Sequence, residues 1–323
     1  MKKKWPVIAS IAASVTGASI AALGYTLSNK VMYIKRKDQQ FIFDREIAAN
    51  RFKLEWYESV PKEDFLVSSI NGYDVSCQMI HSVDSKNTVI IAHGVTETHI
   101  NSLKYAALFA RLGYNIVVYD QRRHGATGGK TTSYGFYEKN DLKAVVEEVR
   151  RKIGDDAILG IQGESMGAAT ALQYGGTSEQ LFDFIIADCP FSKFEDQLQH
   201  LMVRDTPLRS PYAIKFIDYF VQMRDGYNLK DVSPIDVVQN ITKPILFVTS
   251  LEDTYIPPKM TENLYEKHPE NSRLVLFEKG AHAKSFNEQP YDYEKEVLKF
   301  LVDFNISYVP NNYVNPEKML QTQ

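Results

Sequence analysis

Short, uninterrupted apolar runs recur along the chain at Thr88–Ala92, Asn115–Tyr119, Ala157–Ile161, Phe184–Ala187, Ile245–Thr249 and Arg273–Phe277. Strands that read this way are buried on both faces, which happens when helices cover both sides of a parallel sheet. Between most of the runs lie segments with apolar residues at helical spacing: Asn101–Leu112, Glu138–Ile153, Met166–Tyr174, Lys259–Lys267 and Tyr291–Phe304. Ahead of them, Phe65–Ile70 and Tyr73–His81 alternate around Asn71-Gly72, a strong hairpin signal. Two antiparallel strands followed by βαβ units predict an α/β fold, a mostly parallel, doubly wound sheet of about eight strands. The alternation breaks once, after Asp188, where roughly 50 residues carry helical patterns (Phe194–Val203, Tyr212–Met223) and no strand. That is too long for an ordinary connection and predicts a helical cap over about 191–242.

The strongest chemical signal is Gly163-Glu164-Ser165-Met166-Gly167, directly after one apolar run and directly before a helix. A G-x-S-x-G match alone is weak, but strand–turn–helix context makes it specific. A sharp turn there forces the serine into strained backbone geometry, and the glycines remove side chains that would collide across it. Ser165 Oγ then stands above the sheet at a helix N-terminus that favours developing negative charge. A serine nucleophile needs a general base, and a histidine base needs an acid to fix its tautomer. His282 follows the last predicted strand in Gly280-Ala281-His282-Ala283, at a strand's carboxyl end. His93 and His124 read as turn-shaping residues, and His81, His99, His200 and His268 lack a supporting pattern. Asp253 ends the strand Ile245–Thr249 region and is the favoured acid. Asp188, at the end of the preceding strand, is its rival, and Glu252 reads as solvated. The order Ser165, Asp253, His282 suits this architecture. The backbone N–H groups of Val95 and Met166 are the expected oxyanion donors, Val95 because His93-Gly94-Val95 ends the neighbouring strand.

On these residues the chain resembles the α/β-hydrolase superfamily over residues 65–305. The motifs are His93-Gly94, Tyr119-Asp120 with Arg123-His124-Gly125, the elbow Gly163–Gly167, Asp253 and His282. It is most similar to the serine-aminopeptidase-like and monoacylglycerol-lipase-like group, especially membrane-anchored bacterial hydrolases carrying Gly-Glu-Ser-Met-Gly and Ala-Asp-Cys-Pro, here Ala187–Pro190. The resemblance implies a Ser-Asp-His triad, a cap after the sixth strand and no cofactor. One departure is Arg123, where relatives usually carry glycine. Serine rather than aspartate at position 165 argues against epoxide-hydrolase and dehalogenase chemistry.

Seven bases and no acid fall in residues 1–37, which leaves a body of net charge −10. An acidic body argues against nucleic-acid binding. From Trp5 to Asn29 no residue is charged. A helix from Trp5 to Tyr25, at about 1.5 Å per residue, covers roughly 30 Å, the thickness of a bilayer core. Residues 1–37 are therefore expected to form a basic N-terminus and transmembrane anchor. A signal peptide cleaved at the small residues Ser19–Ala21 or Ala22–Gly24 is the alternative, giving a secreted protein. Lys2–Lys4 favour a cytoplasmic N-terminus and an extracytoplasmic body, while Lys30, Lys35, Arg36 and Lys37 pull the other way. Residues 38–60 read as an amphipathic connecting helix, 61–308 as the hydrolase domain and 309–323 as a tail.

Other signals fail. Gly125–Thr131 falls one glycine short of a phosphate loop, and no dinucleotide fingerprint follows a strand. Cys77 and Cys189 have neither scaffold number nor metal-ligand spacing, and no metal site is expected. The sequence carries no signal of oligomeric state. The expectation is a serine hydrolase acting on small acyl compounds, esters first. The insertion's apolar residues (Phe191, Phe194, Leu198, Leu201, Tyr212, Phe216, Tyr219, Phe220) would line a pocket roof or pack cap against body. Peptide amides with a free amine are the alternative, with Glu195, Asp196 and Asp205 as candidate acids. A membrane-tethered, non-catalytic binding protein is the alternative of another class. The acidic body favours neutral or cationic substrates over anionic ones.

Overall fold

The apolar runs become neighbouring strands of one sheet. The computed structural model describes residues 4–51, 53–177, 179–206, 211–310 and 313, without the side chains of 4–17 and 211. The chain opens with α1 (Lys4–Met32), α2 (Gln39–Ala48) and α3 (Leu54–Ser59). There follow β1 (Lys62–Ser69), β2 (Tyr73–Ile80), β3 (Thr88–Ala92), α4 (His99–Ser102), α5 (Ala106–Arg111), β4 (Asn115–Tyr119), α6 (Glu138–Ile153), β5 (Leu159–Glu164), α7 (Met166–Gly175) and β6 (Phe184–Asp188). After β6 come α8 (Phe194–Asp205), α9 (Pro211–Asp225) and α10 (Pro234–Val237). The chain then forms β7 (Ile245–Ser250), α11 (Pro258–Lys267), β8 (Ser272–Phe277), α12 (Ser285–Glu288) and α13 (Pro290–Asp303).

The strand order is β1-β2-β4-β3-β5-β6-β7-β8. The β1/β2 and β2/β4 pairs are antiparallel and the rest parallel. Every residue of β3 to β7 is buried. On one face Leu142, Val146 and Val149 of α6 and Leu172 of α7 pack with Ile90 and Ile161. On the other, Leu108 and Phe109 of α5 and Val297 and Phe300 of α13 pack with Ile91 and Val118. After β4 the chain returns across β3 to form β5, so the carboxyl ends of β3 and β5 adjoin where the connections diverge. Such a switch point leaves a crevice for a ligand.

Three expectations shift. β5 continues past Ile161 to Glu164, because Gln162 and Glu164 are buried polar residues with partners: Gln162 donates to Tyr293 Oη at 3.0 Å, and Glu164 pairs with Lys104. The helix expected over Asn101–Leu112 is interrupted by a tight 3-10 turn at Leu103–Tyr105, whose Lys104 and Tyr105 side chains both reach Glu164. The connecting helix expected over 38–60 is two helices, broken at Asn50, where φ is +51°. Beside the break, Arg45 and Arg51 close on the buried Glu46. Phe43, Trp56 and Tyr57 pack on the body's core, so these helices rest on the body.

Among the described residues no helix is long and apolar enough to cross a membrane. The expected anchor, Trp5–Tyr25, falls largely on residues whose side chains lie outside the described ones, and most of the 309–323 tail lies outside them as well. The end of α1 is clamped to the cap. A Cβ on Gly24 would meet the Phe220 ring, and Arg224 donates to Tyr25 O (3.1 Å) and Asn29 Oδ1 (2.6 Å) while stacking on the Tyr25 ring at 4.0 Å.

Candidate active site

Ser165 is the single residue between β5 and α7, with φ +56° and ψ −116°, left-handed geometry that ordinary residues avoid. The flanking glycines are required by space. A Cβ on Gly163 would stand 2.5 Å from Ala168 N, and one on Gly167 would stand 2.1 Å from Ala92 O of the neighbouring strand. Gly72 in the hairpin has φ +83° but open space around it. Gly167→Ala is therefore expected to cost about 3 kcal/mol, against about 1 kcal/mol for Gly72→Ala. Urea unfolding checks this, and equal losses would contradict it.

Ser165 Oγ lies 2.8 Å from His282 Nε2, and His282 Nδ1 lies 2.7 Å from Asp253 Oδ2. With the proton on Nδ1 held by Asp253, the Nε2 lone pair faces the serine hydroxyl. Asp253 follows β7 and is 3% exposed. Its Oδ1 accepts from the N–H groups of Tyr255 and Ile256, both at 2.9 Å, so the carboxylate cannot swing away from the imidazole. Tyr255 packs against the His282 ring, 4.7 Å between centroids. Glu252 is exposed, as expected, and its carboxylate also accepts from Gly280 N at 3.0 Å, which ties down the loop carrying His282. Cys77 and Cys189 are free and buried. Cys189 stands with Asp253 and His282 in a group whose possible ligand atoms lie within 4.8 Å of one another, but a metal there would have to displace the bonds just described.

Asp188 does not reach His282. Its Oδ2 accepts from Tyr105 Oη (3.1 Å) and Tyr293 Oη (3.0 Å), below the elbow. Tyr105 also faces Glu164 Oε2 at 2.8 Å, so one hydroxyl proton confronts two carboxylates. Burial, reinforced by repulsion from Glu164, pushes the Asp188 carboxyl up to about 7 from its ordinary 3.8. The folded protein therefore holds a proton that the unfolded chain has released, and stability falls as the pH rises from about 4 to about 7. Asp188→Asn should flatten that slope, as read by urea midpoints across the range; an unchanged slope would contradict the assignment.

The other histidines are engaged elsewhere. His93 is buried, with Nδ1 donating to Gly94 O (2.7 Å) and Nε2 accepting from Gln121 N (3.0 Å); burial pushes its pKa down. His124 accepts from Thr96 N at 3.2 Å, and burial pushes it down to about 3. His99 donates to Asp120 at 2.9 Å. Arg123, the departure from the family pattern, has φ +63°. A glycine would sit there without strain, but the guanidinium donates to Ile34 O at 2.9 Å and lies over the Tyr33 ring at 5.5 Å.

Ser165 opens on two chambers. One, of about 140 Å³, is apolar and lined by Met166, Phe191, Phe194, Leu198, Val31 and Ile34 among others. The second, of about 180 Å³, contains His282 and is lined by charged groups. Val95 borders both, and a Cβ on Gly94 would stand 3.5 Å from Ser165 Cβ, so this loop lies over Ser165. Neither Val95 N–H nor Met166 N–H has an acceptor among the described residues. Half of the expected cap roof lines the apolar chamber. Tyr212 and Tyr219 instead face solvent, and Phe216 and Phe220 pack on each other. Glu195, Asp196 and Asp205 line neither chamber.

The sequence did not signal that the segment following α1 is part of the site. Val31 and Ile34 wall the apolar chamber, Tyr134 Oη donates to Val31 O at 3.1 Å, and Lys37 N donates to Thr96 O at 3.0 Å, bracing the loop over Ser165. The Lys35–Lys37 cluster, read as a membrane-topology signal, is where that contact falls.

Residues 83–216 match the family described as serine aminopeptidase, S33. The uncharacterized protein YqkD of Bacillus subtilis is 42% identical over 308 residues, 95% of this chain and 99% of its own. Two solved structures share the fold. The Pyrococcus furiosus esterase Pf2001 has a TM-score of 0.62 at 24% identity, covering 76% of this chain and 92% of its own. The Pyrococcus horikoshii acylaminoacyl peptidase has a TM-score of 0.56 at 20% identity, covering 81% of this chain and 44% of its own. With 42% identity over nearly the whole of both chains, the chain belongs to the family of YqkD, and its residues 83–216 carry the serine aminopeptidase S33 pattern on an α/β-hydrolase fold.

Proposed function

We propose that the protein is a membrane-tethered serine hydrolase that cleaves carboxylic esters through an acyl-enzyme. Ser165 Oγ attacks the carbonyl as His282 Nε2 takes its proton, and Asp253 holds the imidazole and stabilises its charged form. The N–H groups of Val95 and Met166 bind the oxyanion. His282 returns the proton to the departing alcohol, and water repeats the sequence to release the acid. The observation carrying this reading is the hydrogen-bonded line Ser165–His282–Asp253 standing between an apolar chamber, suited to an acyl chain, and a polar one.

Peptide substrates with a free amine are less favoured, because a cationic amine needs an unpaired carboxylate. The carboxylates of the polar chamber, Glu97 and Glu164, are already paired with Lys37, Arg45 and Lys104. A panel of p-nitrophenyl esters of increasing chain length beside aminoacyl anilides tests this. Esters should dominate, with an optimum chain length set by the apolar chamber; faster anilide turnover would overturn the reading.

The tether is α1. Its end is held on the body from Gly24 onward, and the preceding stretch from Lys4, roughly 20 residues or about 30 Å of helix, has the length of a bilayer core, although its described residues do not reach the apolarity of a span. Around its exit the cap presents Tyr212, Tyr219 and Met223, all more than half exposed on one face of α9, which suits an interfacial belt. The body then lies on the extracytoplasmic side. The full chain should stay in the membrane pellet after an alkaline carbonate wash and be digested by protease added outside spheroplasts. Release by the wash, or full protection from the protease, would refute the tether or the orientation respectively.

A further inference from the structure

The general acid returns its proton to the departing oxygen, so whatever that oxygen carries lies on the His282 side of Ser165. That side is the charged chamber. Four cations line it, Lys37, Arg45, Lys104 and Lys284, against two carboxylates. Lys37 and Arg45 share Glu97, with Arg45 Nη2 at 2.8 Å from Oε2, and Lys104 is paired with Glu164. Arg51, behind the chamber, is taken by Glu46 at 3.0 Å. Lys284 Nζ has no carboxylate partner among the described residues. Burial, with repulsion from Arg51 and Lys104, pushes its ammonium below the usual lysine range, and the attraction of Glu164 and Glu46, both already paired with other cations, does not offset it.

We propose that this chamber, with Lys284 as the cation that has no carboxylate partner among the described residues, is a subsite for an anionic group, carboxylate or phosphate, borne by the leaving group of the ester. The inference rests on the ester-hydrolase reading above. It reverses the expectation drawn from the −10 body, because remote surface charges are screened over about 8 Å at physiological salt, whereas cations lining a half-enclosed chamber act at contact distance.

The test uses three hexanoyl esters that differ only in the group para to the ester oxygen: those of 4-hydroxybenzoate, 4-hydroxyphenyl phosphate and 4-hydroxybenzamide. At low salt kcat/KM for at least one anionic ester should exceed that of the carboxamide by about tenfold, and the ratio should shrink as salt is added. The order of the two anionic esters tells carboxylate from phosphate. Lys284→Met should bring the ratio close to one, and Lys284→Arg should restore it, with thermal melts checking that both variants are folded. A carboxamide ester hydrolysed as fast as both anionic esters, in a protein that labels with a fluorophosphonate, overturns the subsite and leaves the ester reading standing. Turnover of none of the three, with no labelling, overturns the ester reading. The subsite is then read by calorimetry, where 4-hydroxybenzoate should bind the full-length protein and lose that binding in Lys284→Met; no binding overturns the subsite as well.

Discussion

Replacing Ser165 by alanine is expected to lower kcat by about 10⁶-fold while leaving the protein folded. The loss is large because serine and histidine act as one unit: without Oγ, His282 has no proton to take and no covalent intermediate forms. What remains is the slower reaction supported by binding and the oxyanion donors, about 10³–10⁴ over water. The fold should survive, because among the described residues the side chain of Ser165 bonds only to His282, and alanine fits the same buried space. The left-handed φ of +56° is equally strained with either residue. Urea midpoints of the two proteins should therefore agree to within about 1 kcal/mol. A folded Ser165→Ala protein retaining a tenth of the rate would place the nucleophile elsewhere.

Asp253→Asn should lower kcat by about 10⁴-fold, since an amide in place of the carboxylate accepts poorly from Nδ1–H and lets the imidazole adopt the wrong tautomer. The substitution keeps the shape, and an amide oxygen can still accept from Tyr255 and Ile256, so the loop should hold. Asp188→Asn should change kcat by less than about tenfold, because its partners are the hydroxyls of Tyr105 and Tyr293 and not the imidazole. Steady-state rates on one ester compare the two variants directly, and a larger loss in Asp188→Asn would exchange their roles.

The parts of the molecule that were legible in the sequence are those whose signal is local. Continuous apolar runs mark strands covered on both faces, and the elbow glycines mark a turn with no room for a side chain. The apolar run Ala157–Ile161 stops short of the end of β5, because Gln162 and Glu164 are buried through bonds to Tyr293 and Lys104, partners far away in the chain. Distance in sequence also hid Tyr105 and Tyr293 beneath Asp188, the wall formed by Val31 and Ile34, and the place of Lys284 in the charged chamber. None of these leaves a periodicity or spacing to read. Arg123 shows the intermediate case. The sequence marked it as foreign to a glycine position, and the structure supplies the reason: it accepts a φ of +63° while its guanidinium holds Ile34, a wall of the apolar chamber. On the subsite proposed above, net charge points the other way for a related cause, since it counts every charge equally while the field at Ser165 depends on the few that line its chambers.

The central claim is that an ester passes through a covalent bond to Ser165. Mass spectrometry of the full-length protein after reaction with a fluorophosphonate tests it most directly. The account predicts a single adduct, mapped to the peptide containing Gly163–Gly167 at Ser165 and absent from Ser165→Ala. An adduct on another residue, or none on the folded protein, would contradict it.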